Sequence, residues 1–468
     1  MPMLPVSDDY RIEKDCLGDV RVAAGALWGA QTERAVANFR IARLPMPASF
    51  IRAIGLIKWA AAETNGELGE LPAPMAAAIA AAALEIARGS HADQFPVGVL
   101  QTGSGTSTNM NANEVIARLA ARTLGAPVHA NDDVNRCQSS NDVIPSAIHL
   151  SAALELRDTL LPALAALAQA IEAKAAASGD VVKPGRTHLM DAMPVTVGQE
   201  MRAWRSQVES AAERLAAVTP RLHRLALGGT AVGTGINAHP EFAARAIARL
   251  TARTGLPLVA APDRFAALAS QDTAVELSGM LRTAAVALLK VANDLRWMNS
   301  GPLAGLGEIT LPALQPGSSI MPGKVNPVIP EAVAMAATLT MANDAAVAMA
   351  GASGNFQLNV MLPLIAHALL QQLELVAGAA RALAESAIPE LVVHADRVGA
   401  SLARNPMLLT ALAPRIGYDR AAAIAKRAAA EQRAVLDVAV EETGLPRAEL
   451  AVLLDPARLA RGGRPHGG

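Results

Sequence analysis

Between residues 263 and 297, apolar side chains recur at Leu277, Leu281, Ala284, Leu288, Val291 and Leu295, in alternating steps of four and three. That spacing is the seam of a helix packed in a bundle. The other faces are nearly as apolar (Met280, Ala285, Val286, Ala287, Leu289, Ala292), and a helix apolar almost all round is enclosed by protein. A lone small bundle would leave part of that surface bare, so the pattern predicts bundles assembled into an oligomer. Four more runs read as helices: near Asn141 to about Ala177, Pro194 to about Leu227, about Pro327 to Met349, and Leu358 to Ser386. Together they predict a five-helix core. Before them, MAAAIAAAALEIARG (75–89) and NANEVIARLAARTLG (111–125) read as helices ending on Gly89 and Gly125, where a left-handed cap belongs. After His394 a charged helical tail leads into the basic segment RLARGGRPHGG. The expected organisation is a mostly helical segment 1–140, a central five-helix bundle 141–395 and a small helical segment 396–468.

Composition sharpens this picture. Of 468 residues, 52% are hydrophobic but only 3% aromatic, so the apolar content is Ala, Leu, Val, Ile and Met. Ala and Leu lead the helix-propensity ranking, and the aromatic residues that enrich strands are scarce. Such hydrophobicity excludes disorder, and the fold class expected is all-α. With 41 basic against 42 acidic residues, the net charge of −1 offers no field for nucleic acid or an anionic membrane. Cys16 and Cys137 cannot form a disulfide framework. The opening MPMLPVSDDYRIEKD has no basic or apolar leader character, so a cytoplasmic, soluble protein is expected. The uncharged stretch Ala345 to Leu373 contains Asn355, Gln357, Asn359, Pro363 and His367, and reads as a buried helix with a polar interruption rather than a membrane span.

In so apolar a chain, dense polar loops need an explanation. There are four: QTGSGTSTNMNANE (101–114), NDDVNRCQSSND (131–142), GRTHLMD (185–191) and QPGSSIMPGKVNP (315–327). They supply uncharged donors, a few cations and one histidine with little bulk, an inventory suited to a small anion bearing carboxylates. Taken singly, each has a plainer reading. Gly/Ser/Asn loops are commonly turns, His188 alone would be a surface or core histidine, Lys324 a solvated charge, and Glu331 a favourable charge in the first turn of a helix. Four islands between long buried helices make coincidence a poor account. Other chemistries fail on detail. Gly317 to Lys324 has one residue too many for a phosphate loop and Val325 where Ser or Thr belongs. GTGINA (233–238) lacks a strand–helix setting, and the nine histidines lack metal-ligand spacing. No metal or cofactor is expected.

The motif GSSIMPGKVNP resembles the signature of the fumarase/aspartase superfamily, and here it is complete. TGSGTSTNMNANEV, NDDVNRCQSSND, GRTHLMDAMPVTVGQE and GGTAVGTGIN are similar to that family too, in its order, so the resemblance spans essentially the whole chain. It implies an all-helical, three-domain subunit whose central bundles form the multi-helix core of a homotetramer, with active sites shared between subunits. It implies no metal, and a dicarboxylate substrate that loses a proton next to one carboxylate and a group from the neighbouring carbon. By resemblance, Ser318 is the base and Lys324 and Asn326 hold the carboxylate on which charge accumulates. Ser104, Thr106, Ser139, Ser140, Asn141 and Thr187 bind the remaining oxygens, and His188 with Glu331 handles the water or leaving hydroxyl. A secondary anion site would fall at His129, Asn131 and Asp132. His188 in GRTHL, and Gly103 and Ser104 in GSGT, resemble the class II fumarase branch, where aspartases usually carry Gln and Ala. Met190 and Ala130 depart from the usual Gln and Pro of the family. An ammonia-lyase on the same scaffold, or a non-catalytic relative of the lens-crystallin kind, is the alternative.

Overall fold

A computed structural model of the chain describes residues 9–463. Residues 1–8, where no targeting segment is expected, and residues 464–468 of the basic tail lie outside them. After the hairpin β1 (Tyr10–Asp15) and β2 (Gly18–Ala23) come helices α1 (Ala30–Asn38), α2 (Ala48–Glu67), α3 (Ala73–Ala87), α4 (Thr106–Leu124), α5 (Ser140–Glu155) and α6 (Leu161–Ser178). A second hairpin, β3 (Val182–Thr187) and β4 (Met190–Thr196), precedes α7 (Val197–Leu222). The short pair β5 (Arg224–Leu225) and β6 (Val259–Ala260) brackets α8 (Phe242–Thr254), and α9 (Arg264–Ala269) leads into α10 (Asp272–Met298). Then follow β7 (Ile309–Thr310), α11 (Val328–Gly351), the hairpin β8 (Gly354–Asn355) and β9 (Leu358–Asn359), α12 (Leu362–Ser386) and β10 (Val392–Val393). Six short helices close the chain: α13 (Ala395–Leu402), α14 (Ala413–Ile416), α15 (Tyr418–Glu431), α16 (Val435–Thr443), α17 (Arg447–Leu453) and α18 (Pro456–Leu459). The fold is all-α; its strands form only two-stranded ribbons.

The expected seam of α10 is real: Leu277, Leu281, Ala284, Leu288, Val291 and Leu295 are all buried. Val286, on another face of the same helix, is 53% exposed in the single chain. Gly89 and Gly125 follow α3 and α4 with φ of 84° and 68°. Three helical runs needed correction. Residues Pro194 to Thr196 are strand, because they pair with Val182 to Pro184. Leu358 and Asn359 belong to β9, whose buried Asn359 turns its amide onto the Ala350 carbonyl at the end of α11. The run from Asp263 is two helices, since Ser270 ends α9 in an extended conformation. Three segments, 140–178, 328–351 and 362–386, are long and apolar enough to cross a membrane by composition alone.

The chain divides into two compact units. One comprises residues 1–162, 213–285 and 337–377; the other comprises 163–212, 286–336 and 378–468. Within the first, α2 packs on α3, α5 and α8. Within the second, the C-terminal helices enclose a core of their own, which includes Leu409, Leu412, Ile424, Val438 and Leu450.

Candidate active site

The fourth polar island folds onto itself. The Gly317 N–H donates to the Lys324 carbonyl (2.9 Å), and Asn326 Nδ2 donates to the Gly317 carbonyl (2.7 Å). A Cβ on Gly317 would lie 2.2 Å from the Lys324 oxygen, so only glycine permits this closure. Inside the loop, Ser318 Oγ accepts the backbone N–H groups of Ile320 (3.2 Å) and Met321 (3.0 Å). Two amide donors on one hydroxyl oxygen favour negative charge there. The loop borders a solvent-open groove of about 470 Å³, lined by Gly317, Ser318 and Lys324 among others. Asn326 uses one N–H of its amide for loop closure, leaving the other to donate, and Lys324 is exposed.

Thr187 and His188 sit at the tip of the β3–β4 hairpin. Thr187 pairs with Met190, leaving His188 and Leu189 as a two-residue turn with φ of 58° and 61°. Such turns need positive φ at both central positions and usually use Asn-Gly, so two side chains here are held in a strained conformation. The root of the hairpin explains how. Lys183, 1% exposed, donates to Glu200 Oε2 (2.7 Å) and lies 2.8 Å from Glu308 Oε2, an ion contact without hydrogen-bond alignment. Arg186 donates to Glu308 Oε1 at 2.6 Å. Between them Gly185 carries a register shift, and a Cβ there would come within 2.6 Å of the Met193 oxygen. Glu331 lies half-buried in the first turn of α11; among the described residues no hydrogen bond joins it to His188.

The remaining predicted residues fall in the first unit. Ser104 and Thr106 place their hydroxyls 2.8 Å apart at the start of α4. Gly103 is pressed against the 354–361 segment: its oxygen accepts the Leu362 N–H (2.9 Å), and a Cβ would sit 1.6 Å from the Val360 oxygen. Ser139 is the N-cap of α5 in a capping box with Asp142. Ser140 Oγ accepts from Asn109 Nδ2 (3.0 Å), and Asn141 Nδ2 donates to the Ala231 carbonyl (2.8 Å). Beneath them lie two charges that sequence reasoning missed. Asp142 is wholly buried and accepts the N–H groups of Ser139 (2.9 Å), Gly228 (2.9 Å) and Thr230 (3.0 Å). Burial pushes its carboxyl above the ordinary range, against the pull of those donors and of Lys58. Lys58, also wholly buried, donates to Asn135 Oδ1 and Gln138 Oε1, both at 3.0 Å, and burial brings its ammonium down to about 7. Asn109 and Asn113 donate to the same Asn135 oxygen. A buried amide layer therefore links Lys58 to Ser140.

His129, Asn131 and Asp132 occupy a turn before α5. The His129 ring accepts the Asp132 N–H (3.1 Å), and both side chains are exposed. The structure thus gathers Ser104 and Thr106 at one point, and Ser139 to Asn141 at another tied to α4 through Asn109. Ser318, Lys324 and Asn326 share one loop of the second unit, with His188 on a separate hairpin.

Known proteins share this sequence and fold over nearly the whole chain. A family model described as "Lyase" matches residues 18–341, and one described as "Fumarase C C-terminus" matches 408–461. A class II fumarate hydratase of Xylella fastidiosa (strain Temecula1 / ATCC 700964) is 59% identical over 98% of this chain and 97% of its own. A "Fumarate hydratase class II 2" of Pseudomonas aeruginosa is 58% identical over 97% and 99%. The crystal structure of a recombinant class II fumarase from Schistosoma mansoni superimposes with a TM-score of 0.93 at 37% identity, covering 96% of this chain and 99% of that one. The chain belongs to the lyase family, and within it to the class II fumarate hydratases.

Proposed function

We propose that this chain reversibly hydrates fumarate to (S)-malate, working as a soluble, cytoplasmic homotetramer whose active sites combine loops from more than one subunit. The subunit is organised as segments 1–140, 141–395 and 396–468; the separate apolar core of the C-terminal helices supports the last boundary. In the dehydration direction, Ser318 takes the proton from C3 of malate. The electron pair left behind spreads into the adjacent carboxylate, which becomes an aci-carboxylate with a second negative charge. Lys324 and Asn326 stabilise it, because preorganised donors act most strongly where charge develops. His188, oriented by Glu331 in the assembled tetramer, delivers a proton to the C2 hydroxyl, which leaves as water and creates the double bond. Ser104, Thr106, Thr187 and the segment Ser139 to Asn141 bind the substrate's other oxygens.

The observation that carries the mechanism is the pair of N–H groups on Ser318 Oγ. A free serine hydroxyl is far too weak an acid to serve as a base, and two amide donors with a lysine in the same loop lower that cost. The secondary anion site at His129, Asn131 and Asp132 is proposed on resemblance alone. Proton NMR of fumarate with purified protein, with and without ammonium, tests the reaction. Malate in both samples is expected. Aspartate formed only with ammonium would make the chain an ammonia-lyase, and untouched fumarate in both would sink the proposal.

A further inference from the structure

A cleft of about 210 Å³ opens in the first unit, walled by Arg52, Arg88, Arg157 and Arg253 over a floor that includes Leu56 and Leu154. No carboxylate lines it. Arg157 is the one arginine of the four with an ion pair among the described residues: it holds Asp158 (2.6 and 3.0 Å) and donates to the Thr254 carbonyl (2.6 Å). Arg253 lies over the ring of Trp59 at 5.2 Å, and Arg52 meets the Asp158 charge only at longer range. Four cations thus face one cavity whose lining holds no carboxylate, with Asp158 paired to Arg157 beside it.

Helix C-termini attract cations, and this accounts for part of the cluster. Arg88 directly follows α3, Arg253 lies in the last turn of α8, and Arg157 bonds the last carbonyl of α8. It does not account for Arg52, which lies toward the N-terminal end of α2, where a positive charge gains nothing from the dipole. A second feature is independent of charge. The helix running from α5 to α6 is interrupted by a π turn, Leu156–Leu160, and that turn presents Arg157. Such turns concentrate at functional positions. The cleft stands one helix length from the Ser139 cap of α5, about 24 Å at 1.5 Å per residue for its 16 residues.

We propose that this cleft binds a small polyanion with clustered anionic oxygens, of the diphosphate or tricarboxylate kind. Its volume of about 210 Å³ lies below the roughly 300–1,000 Å³ of pockets that take drug-sized ligands, so a compact anion fits better than a whole nucleotide. Guanidinium groups in several directions satisfy oxygens that no single cation could. Trp59 beneath Arg253 provides a built-in reporter.

The test titrates sodium pyrophosphate and, separately, sodium citrate into the full-length protein at fixed ionic strength, followed by calorimetry and tryptophan emission. Saturable binding is expected, with an emission change lost in Trp59→Phe while the heat remains. Arg52→Gln and Arg88→Gln should each weaken binding about tenfold, equivalent to about 1.4 kcal/mol, without changing fumarate turnover. The tighter of the two probes assigns phosphate or carboxylate chemistry to the site. Citrate seated at the proposed substrate loops instead would be indifferent to both substitutions, and that result overturns the proposal. So does the absence of saturable binding by either probe.

Discussion

The loops assigned to bind substrate and the loops assigned to react with it are built in opposite ways. Ser139 to Asn141 stand on a buried polar floor: Asp142 takes three backbone donors, and Lys58 reaches the segment through Asn135, Gln138 and Asn109. Ser318 and Lys324 sit in an open loop held by its own backbone, and His188 rides an exposed hairpin tip. The difference fits the proposed tasks. A binding residue must already be in place when the substrate arrives, whereas a reacting loop must let substrate in before closing over it. Activity and stability should therefore be separable in the open loop and inseparable in the buried floor.

The largest effect tests the first half of that statement. Ser318→Ala should lower malate turnover by roughly 10²–10⁴-fold, the contribution typical of a positioned general base. Its melting temperature and sedimentation should match the parent, because Ser318 Oγ bonds only within its own loop. Near-normal turnover would remove Ser318 from the base's role.

The buried floor should behave otherwise. Asp142→Ala strands the buried N–H groups of Gly228 and Thr230 and the half-buried one of Ser139; a buried donor left unsatisfied costs about 1–3 kcal/mol, so urea unfolding should register a loss of roughly 2 kcal/mol or more. Turnover should fall with it. Glu308→Gln extends the test to the His188 hairpin, whose tip is exposed but whose root is a buried ion cluster: there Lys183 and Arg186 lose their shared counter-charge. Breaking a buried pair costs roughly 3–5 kcal/mol, and the turn at His188 should loosen. An Asp142 variant that unfolds like the parent would show that the floor is not what holds Ser139 to Asn141, and a Glu308 variant that does so would show the same of the ion cluster under the hairpin.

Much of this was legible in the sequence, for identifiable reasons. The α10 seam declared itself because one helix supplies its whole period. The polar islands stood out against an apolar chain, and within them Gly317 and Gly103 are points where only glycine fits. The β3–β4 hairpin was invisible. Its turn is His-Leu rather than Asn-Gly, and its strands contain Pro184 and Pro194, which argue against a ladder. Lys58, Asp142, Lys183 and Glu308 were missed because their meaning lies in partners distant along the chain; Arg186 and Glu308 are 122 residues apart. Nothing local distinguishes a buried lysine on α2 from a solvated one.

Lys58 offers a gentler way to sharpen the contrast, through pH. Its folded value near 7 lies well below the roughly 10.4 of an unfolded lysine. Between these values the unfolded chain binds a proton that the folded chain has released, so this residue makes stability rise with pH, by up to about 1.4 kcal/mol per unit. Below about 7 both states hold the proton, and the cost of burying the charge is felt in full. Lys58→Met removes the titrating group. Urea midpoints at pH 6.5, 8 and 9.5 should climb more steeply in the parent than in the variant. Parallel pH profiles would mean that Lys58 keeps its proton throughout, with its charge matched by Asp142.

The smallest effect lies at the hairpin tip and separates strain from function most cleanly. Leu189 is exposed, with φ of 61°, so its side chain contributes little packing and opposes the backbone it occupies. Glycine adopts that conformation without penalty, and Leu189→Gly should raise stability by about 1 kcal/mol, the low end of what such a residue stores. His188, beside it, shares the strain, and the proposed mechanism gives it the proton transfer to the C2 hydroxyl. If Leu189→Gly gains stability and keeps its turnover, the hairpin root alone fixes the histidine, and the strain is incidental to catalysis. If turnover falls while stability rises, the leucine is holding the tip rigid, and this exposed turn is as preorganised as the buried floor beneath Ser140.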